Sequence, residues 1–204
     1  DARRSHVLGS DFARSGDLSV MWPLTIEKNL DRTTPFLVEL RNIPYDQQRQ
    51  ILFFICDRLP NFRKAALDAT GNGEFMGETA RQEYGDARIV ALKFSADWYR
   101  ENMPKCKAAL TDGTAWIVAD DEVVSDLHRF EVVDGVARMP KSRTGGADKR
   151  HGDAGIAWAL AHWASTLDPV VIEYASTNQS RQGFEDELEK VDVGFGALRR
   201  DNGM

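Results

Sequence analysis

Short apolar runs at residues 6–10 and 18–24, separated by the polar segment 11–17, have the pattern of strand, turn and strand, and residues 36–41 predict a third strand. Pro44 then opens an amphipathic helix through Leu59, with Ile51, Leu52, Ile55 and Leu59 on one face and Pro60 as its stop. That helix rules out a long β-meander. Residues 65–67 predict a short strand ending in Asp68, followed by Ala69-Thr70-Gly71-Asn72-Gly73 and a helix from about Glu74 to Tyr84 that Gly85 terminates. Strand, polar loop and helix make half of a βαβ unit, so residues 89–92 are expected to run parallel to 65–67. Ser95 can cap the following helix, which Pro104 is expected to divide into two segments and Gly113 to end. A strand over 116–118 and a helix-like run over 121–127 lead to residues 129–133 and 136–139. These are joined by Asp134-Gly135, a dipeptide suited to the type I′ turn of a β-hairpin. A basic loop, 141–150, precedes a helix over 155–166. Beyond Pro169 the pattern weakens, and 179–204 is polar and glycine-punctuated, as in a tail or a partner-docking segment.

Composition narrows the setting. A chain of 204 residues, 42% hydrophobic and 28% charged, can bury one good-sized core. The expected organisation is a single domain over 1–168 with a C-terminal extension or tail over 169–204. The longest apolar runs, such as 51–56 and 156–163, are too short to span a bilayer, and no basic-then-apolar leader opens the sequence. A soluble, cytoplasmic protein without a membrane partner is expected. Cys56 and Cys106 match no metal or redox spacing and read as reduced core residues. The first residue, Asp1, suggests a fragment or a processed chain. The net charge of −6 argues against a broad nonspecific nucleic-acid coat, but says little about a local basic rim around an acidic site.

The candidate chemistry gathers where strands end and a helix begins. Asp11 ends the first strand, Asp68 ends the fourth, and Asp153, in His151-Gly152-Asp153, opens the last clear helix. If the first and fourth strands are neighbours, Asp11 and Asp68 emerge side by side, and a helix packed across that edge brings Asp153 to them. Three carboxylates so placed need a compensating cation. A hard divalent ion such as Mg²⁺ or Mn²⁺ prefers oxygen ligands and keeps water positions open for a substrate phosphate. Two such ions would activate a water and stabilise the leaving oxygen of a phosphodiester.

Each part has a plainer reading. An aspartate at a strand end is usually a turn former, and Asp153 alone could merely cap its helix. Asp17 reads first as a turn residue and second as an auxiliary metal ligand. His151 could orient a water or touch a phosphate, or simply be exposed. Lys141, Arg143, Lys149 and Arg150 would ordinarily be a solvated loop; their place just before Asp153 makes contact with the DNA backbone an expectation as well. His6, His128 and His162 share no zinc spacing, and the five tryptophans read as core or near-core residues. The loop 68–73 lacks the Lys-Ser/Thr ending of a P-loop, which excludes nucleoside triphosphate binding there.

Leu67-Asp-Ala-Thr-Gly-Asn-Gly73, followed by Arg150-His-Gly-Asp153 leading into Ala157-Trp-Ala-Leu-Ala161, resembles the C-terminal nuclease domain of phage terminase large subunits, in particular the Mu-like phage and prophage group. The resemblance extends from about Gly9 to Ala164. It implies an α/β fold of RNase H-like (RuvC-type) class, a mixed sheet flanked by helices, with an added β-hairpin and the C-terminal tail. It also implies a metal-dependent endonuclease that cuts concatemeric or integrated phage DNA for packaging, in the bacterial host cytoplasm. Position by position, Asp11, Asp68 and Asp153 take the places of the family's catalytic, metal-binding acids. Asp17 falls where some members carry an additional acid, and the hairpin around Asp134-Gly135 matches one near the active site in relatives. Two Mg²⁺ or Mn²⁺ ions with substrate bound, double-stranded DNA, the small terminase subunit and the portal are the implied cofactors and partners. The packaging motor's Walker motifs are absent from this sequence, so the resemblance implies a nuclease domain without its ATPase domain. Two departures stand out: Ala13 replaces a frequent glycine after the first acid, and Asp68 stands where many relatives carry glutamate. A junction-resolvase or transposase-like nuclease of the same fold, or a noncatalytic module that docks portal or DNA, remains an alternative.

Overall fold

The two strands expected at the start of the chain form as an antiparallel pair, β1 (Ser5–Asp11) and β2 (Leu18–Ile26), each longer than its apolar run. The structure is a computed structural model that describes residues 4–13, 16–71, 73–140 and 151–167. Two short strands, β3 (Arg32–Thr33) and β4 (Val38–Arg41), pair separately with the two ends of β2. Helix α1 (Tyr45–Arg58) starts after Pro44, as its fixed φ and missing N–H allow. The chain then enters β5 (Phe62–Asp68), α2 (Gly73–Tyr84) and β6 (Ile89–Leu92). β5 lies parallel to both β1 and β6, so the strand expected over 65–67 is the inner strand of a βαβ unit. After α3 (Ala96–Thr111) come β7 (Ala115–Trp116), parallel to β3, and α4 (Asp121–Leu127). The hairpin β8 (Glu131–Val133) and β9 (Val136–Arg138) turns through Asp134 and Gly135, both at positive φ (53° and 75°), as a type I′ turn requires. Helix α5 (Asp153–Thr166) closes the described chain. Among the described residues the main sheet runs β6-β5-β1-β2-β3-β7, with β4 also on β2.

Period-two alternation divides the core. Leu8, Met21, Ala65 and Leu67 face α1 and α2, where they pack with Leu52, Ile55 and Met76. Val7, Val20, Trp22, Leu24 and Ala66 face the other way, onto α3, α4 and α5. Fully burying side chains of this size stabilises by about 2–3 kcal/mol each, so both faces of the sheet are firmly held. Helix α5 is apolar all round and buried along nearly its whole length, because it lies between the sheet and the outer helices. It reaches β1 through Gly9: a Cβ there would stand 2.1 Å from the carbonyl oxygen of Ala157 and 2.2 Å from the nitrogen of Ala161.

Two sequence expectations need correction. Pro104 does not divide its helix; α3 is continuous from Ala96 to Thr111 with the proline inside it. One backbone hydrogen bond is forfeited there, but Trp98 and Met103 before and at the break and Cys106 and Ala109 after it pack into the same core cluster, which holds the two turns in line. Trp116 is not a core residue: β7 is an edge strand and its indole is 60% exposed. The cysteines do behave as expected, both free and buried, with Cys106 Sγ 3.4 Å from His162 Nδ1. Among the described residues no helix is long and apolar enough to cross a membrane.

Candidate metal centre

The same alternation that builds the core aims two carboxylates. From Val7 through Gly9 to Asp11, and from Ala66 to Asp68, every second residue faces α5. The parallel register sets Ser10 beside Leu67, so Asp11 and Asp68 follow side by side at the carboxyl edge of the sheet. The two carboxyl groups are close enough to influence each other's ionisation, and Asp68 Oδ1 accepts the Thr70 N–H at 2.8 Å. That turn holds the carboxylate back over the strand end instead of out in solvent.

Asp153 arrives from the opposite direction, as the first residue of α5. Gly152 precedes it in the left-handed region (φ 84°), a conformation that glycine adopts without a Cβ clash and that leads the chain into the helix. Asp153 is buried, and its Oδ2 accepts the backbone N–H of Leu18, the first residue of β2, at 3.0 Å. Asp126 of α4, also buried, accepts the Ala154 N–H at 3.3 Å and so fixes the helix start from behind. Asp17 Oδ1 lies 3.0 Å from His151 Nε2. This pair links the β1–β2 loop to the segment before α5. The loop after Asp11 is braced further by two polar side chains. Ser19 Oγ accepts the Ala13 N–H at 2.8 Å and donates to the Ala13 carbonyl at 2.7 Å, which also accepts from Gln48 Nε2 at 2.7 Å.

The electrostatics follow from this crowding. Burial first, then the charges of Asp68 and Asp153, hold the Asp11 carboxyl well above the ordinary carboxylate range. Burial raises Asp68, against the opposing hydrogen bonds from Thr70, and raises Asp153, against the Leu18 N–H. Without a cation, such a group keeps protons that isolated aspartates would lose. Among the described residues no group of three or more His, Cys, Asp or Glu side chains stands close enough together to hold a metal ion. The donor set is an open one: two carboxylates at neighbouring strand ends, and a third whose charge is felt at Asp11 and which has committed one oxygen to a backbone N–H. Hard oxygen donors of this kind suit a divalent cation that takes one or two carboxylates and leaves its remaining positions to water.

Asp11, Asp68 and Asp153 are therefore brought to one edge, with Asp17 and His151 paired beside them. Lys141, Arg143, Lys149 and Arg150 lie outside the described residues. The sequence did not single out Gln48, Ser19, Thr70 or Asp126. A glutamine on the apolar face of α1 and a serine inside the fully buried β2 were the available signals, since a polar side chain at a core position is bonded to something.

No family model matches the chain. A protein of Escherichia phage Mu named "Probable terminase, large subunit gp28" is 45% identical over 171 residues, 82% of this chain and 31% of that protein. The Mu-like prophage FluMu protein gp28 of Haemophilus influenzae is 39% identical over 172 residues, 84% of this chain and 34% of that protein. The chain thus spans about a third of the length of these curated relatives. Among solved structures, the large terminase nuclease from thermophilic phage G20c superposes with a TM-score of 0.61 at 15% identity, covering 80% of this chain and 83% of that one. The same nuclease with bound magnesium also gives 0.61, at 17% identity, over 78% and 81% of the two chains. The chain is a homologue of the Mu-type terminase large subunit, and its mixed sheet flanked by helices is the RNase H-like fold of large terminase nuclease domains.

Proposed function

We propose that this chain is the nuclease part of a phage DNA-packaging terminase, a divalent-metal-dependent endonuclease that cuts concatemeric or integrated phage DNA. The observation that carries the reading is the parallel register that ends β1 and β5 side by side in Asp11 and Asp68, with the charge of Asp153 felt at Asp11. Homology along four fifths of the chain supports it, as does the fold shared with a nuclease solved with bound magnesium. In this reading Asp11, Asp68 and Asp153 hold one or two Mg²⁺ or Mn²⁺ ions, with Asp17 available to a ligand shell that reaches the β1–β2 loop. Bound there, the ions supply a nucleophilic water at neutral pH and offset charge on the scissile phosphate.

The chain's own groups do the placing. Leu18 N–H and Asp126 hold Asp153 and the start of α5; Thr70 holds Asp68; the Asp17–His151 pair ties the loop after Asp11 to the α5 entrance. The basic segment with Lys141, Arg143, Lys149 and Arg150, next in sequence to His151, supplies contacts to the DNA backbone. Residues 1–168 form the nuclease domain and 169–204 an extension. In the longer protein the domain works with an ATPase domain, a small terminase subunit and the portal, in the cytoplasm of the bacterial host.

Supercoiled plasmid incubated with this chain in Mn²⁺ is expected to be nicked and linearised, and to stay intact when EDTA removes the metal. Cleavage that survives EDTA overturns the metal-dependent reading.

A further inference from the structure

β4 runs antiparallel to β2, as β1 does on the other side of β2, so β4 ends at the same edge of the sheet as Asp11 and Asp68. Its last residue is Arg41. The register sets Arg41 opposite Leu18, and Val20 opposite both Asp11 and Glu39. Cross-strand partners share a face, and Leu18 and Val20 belong to the core on the α5 side. Arg41 therefore stands on the face that carries Asp11, Asp68 and Asp153, while Leu40 before it packs toward α1. Leu18, its cross-strand partner, is the residue whose N–H holds Asp153 at 3.0 Å. Glu39, level with Asp11 on that face, stops one strand period short of the edge, so Arg41 is what β4 presents there. The Arg41 side chain is exposed, and one guanidinium nitrogen donates to the Gly16 carbonyl at 3.4 Å, next to Asp17 in the loop after Asp11. Among the described residues it makes no ion pair, which leaves most of its N–H fork to solvent.

We propose that Arg41 grips the DNA backbone, its guanidinium donating to the oxygens of a phosphate beside the one that lies over Asp11 and Asp68. The inference rests on the nuclease reading and adds a residue to it. With β2 between them, β4 lies roughly 10 Å to the side of β1, two strand spacings. A cation placed there makes no pair with the carboxylates that would compete with a metal, yet it meets a neighbouring phosphate of the same backbone. The planar fork matches two phosphate oxygens at once. Arg58 provides the contrast: it ends α1 just ahead of β5, at the opposite edge of the sheet, and its guanidinium lies over the Phe54 ring at 3.7 Å.

Arg41→Gln removes the charge, Arg41→Lys keeps it, and Arg58→Gln is the control. Affinity for a labelled linear duplex is measured by fluorescence anisotropy in Ca²⁺ over a series of salt concentrations, with Mn²⁺ binding followed by calorimetry and stability by thermal melts. Arg41→Gln is expected to bind DNA about tenfold more weakly at low salt, the usual weight of a charge-assisted hydrogen bond, and to lower the salt slope by about 1, the share of one phosphate contact. Arg41→Lys should keep the wild-type slope, and Arg58→Gln should bind as wild type does. The Mn²⁺ affinity and melting temperature of Arg41→Gln should match wild type. DNA affinity within about twofold of wild type, or an unchanged slope, overturns the proposal. So does an equal loss in Arg58→Gln, which would make the effect one of overall charge. A parallel fall in Mn²⁺ affinity or melting temperature also overturns it, because Arg41 would then be a brace for the loop at Gly16. Asp11→Asn is assayed for cleavage alongside: wild-type cleavage by that variant overturns the metal-site reading while the Arg41 result, read from binding, stands separately. A wild-type chain that does not bind duplex overturns both.

Discussion

Replacing Asp11 with Asn is expected to lower Mn²⁺-dependent cleavage by about a thousandfold or more, roughly 4 kcal/mol of transition-state stabilisation, while raising the melting temperature of the metal-free protein at neutral pH. The two effects have one cause. Asp11 is buried beside Asp68 and in the field of Asp153, so its charged form is disfavoured unless a cation is present. Its folded-state value is raised above the unfolded one. The stability it contributes is therefore fully present below the unfolded value and is lost as pH rises through the folded one. Metal-free protein should accordingly lose stability as pH climbs above the ordinary carboxylate range, and Asn at position 11, which cannot ionise, should flatten that decline. A gain of about 1–2 kcal/mol, or roughly 2–8 °C for a chain of this size, is in keeping with relieving buried like charges. Thermal melts in EDTA at several pH values, together with a plasmid assay, check both halves. A variant that cleaves normally, or that melts lower than wild type in EDTA at neutral pH, contradicts the account.

Gly9→Ala is expected to be among the most damaging single methyl additions in the described structure. Its Cβ would meet the Ala157 oxygen, the Ala161 nitrogen and, at 2.8 Å, the Ala161 Cα, all of them backbone atoms of a helix buried on every side. No side chain can swing away to make room; α5 must move off β1 as a unit. The helix packs on β1, β2 and β5 at once and carries Asp153 at its start, so that movement opens the core and displaces the third carboxylate together. A loss of about 3 kcal/mol or more is expected, at the upper end for overpacking in a core, with cleavage reduced in parallel. Urea unfolding measures it; a loss under about 1 kcal/mol would mean that the helix and strand approach less closely than described.

Much of this arrangement was legible in the sequence because it depends on local signals. The strand–loop–helix run ending in Asp68 placed β5, α2 and β6 in parallel pairing, and Asp134-Gly135 gave the hairpin turn. Asp11 and Asp68 came side by side because parallel neighbours end at the same edge. What escaped notice depends on long-range packing. β3 is two polar residues whose pairing comes from β2 and β7, with no apolar pattern of its own. Pro104 sits inside α3 because tertiary contacts on both sides outweigh one missing hydrogen bond. Asp17 read as a turn residue or auxiliary ligand and His151 as a water- or phosphate-contacting or merely exposed histidine; their pairing joins positions far apart in sequence.

The central claim, that Asp11, Asp68 and Asp153 form a divalent-metal site, is tested most directly by crystals of this chain soaked in Mn²⁺ and measured for anomalous scattering. The account predicts a manganese peak ligated by Asp11 and at least one of Asp68 and Asp153, lost in Asp11→Asn crystals. Manganese bound elsewhere, with these three carboxylates bare at saturating Mn²⁺, would contradict it.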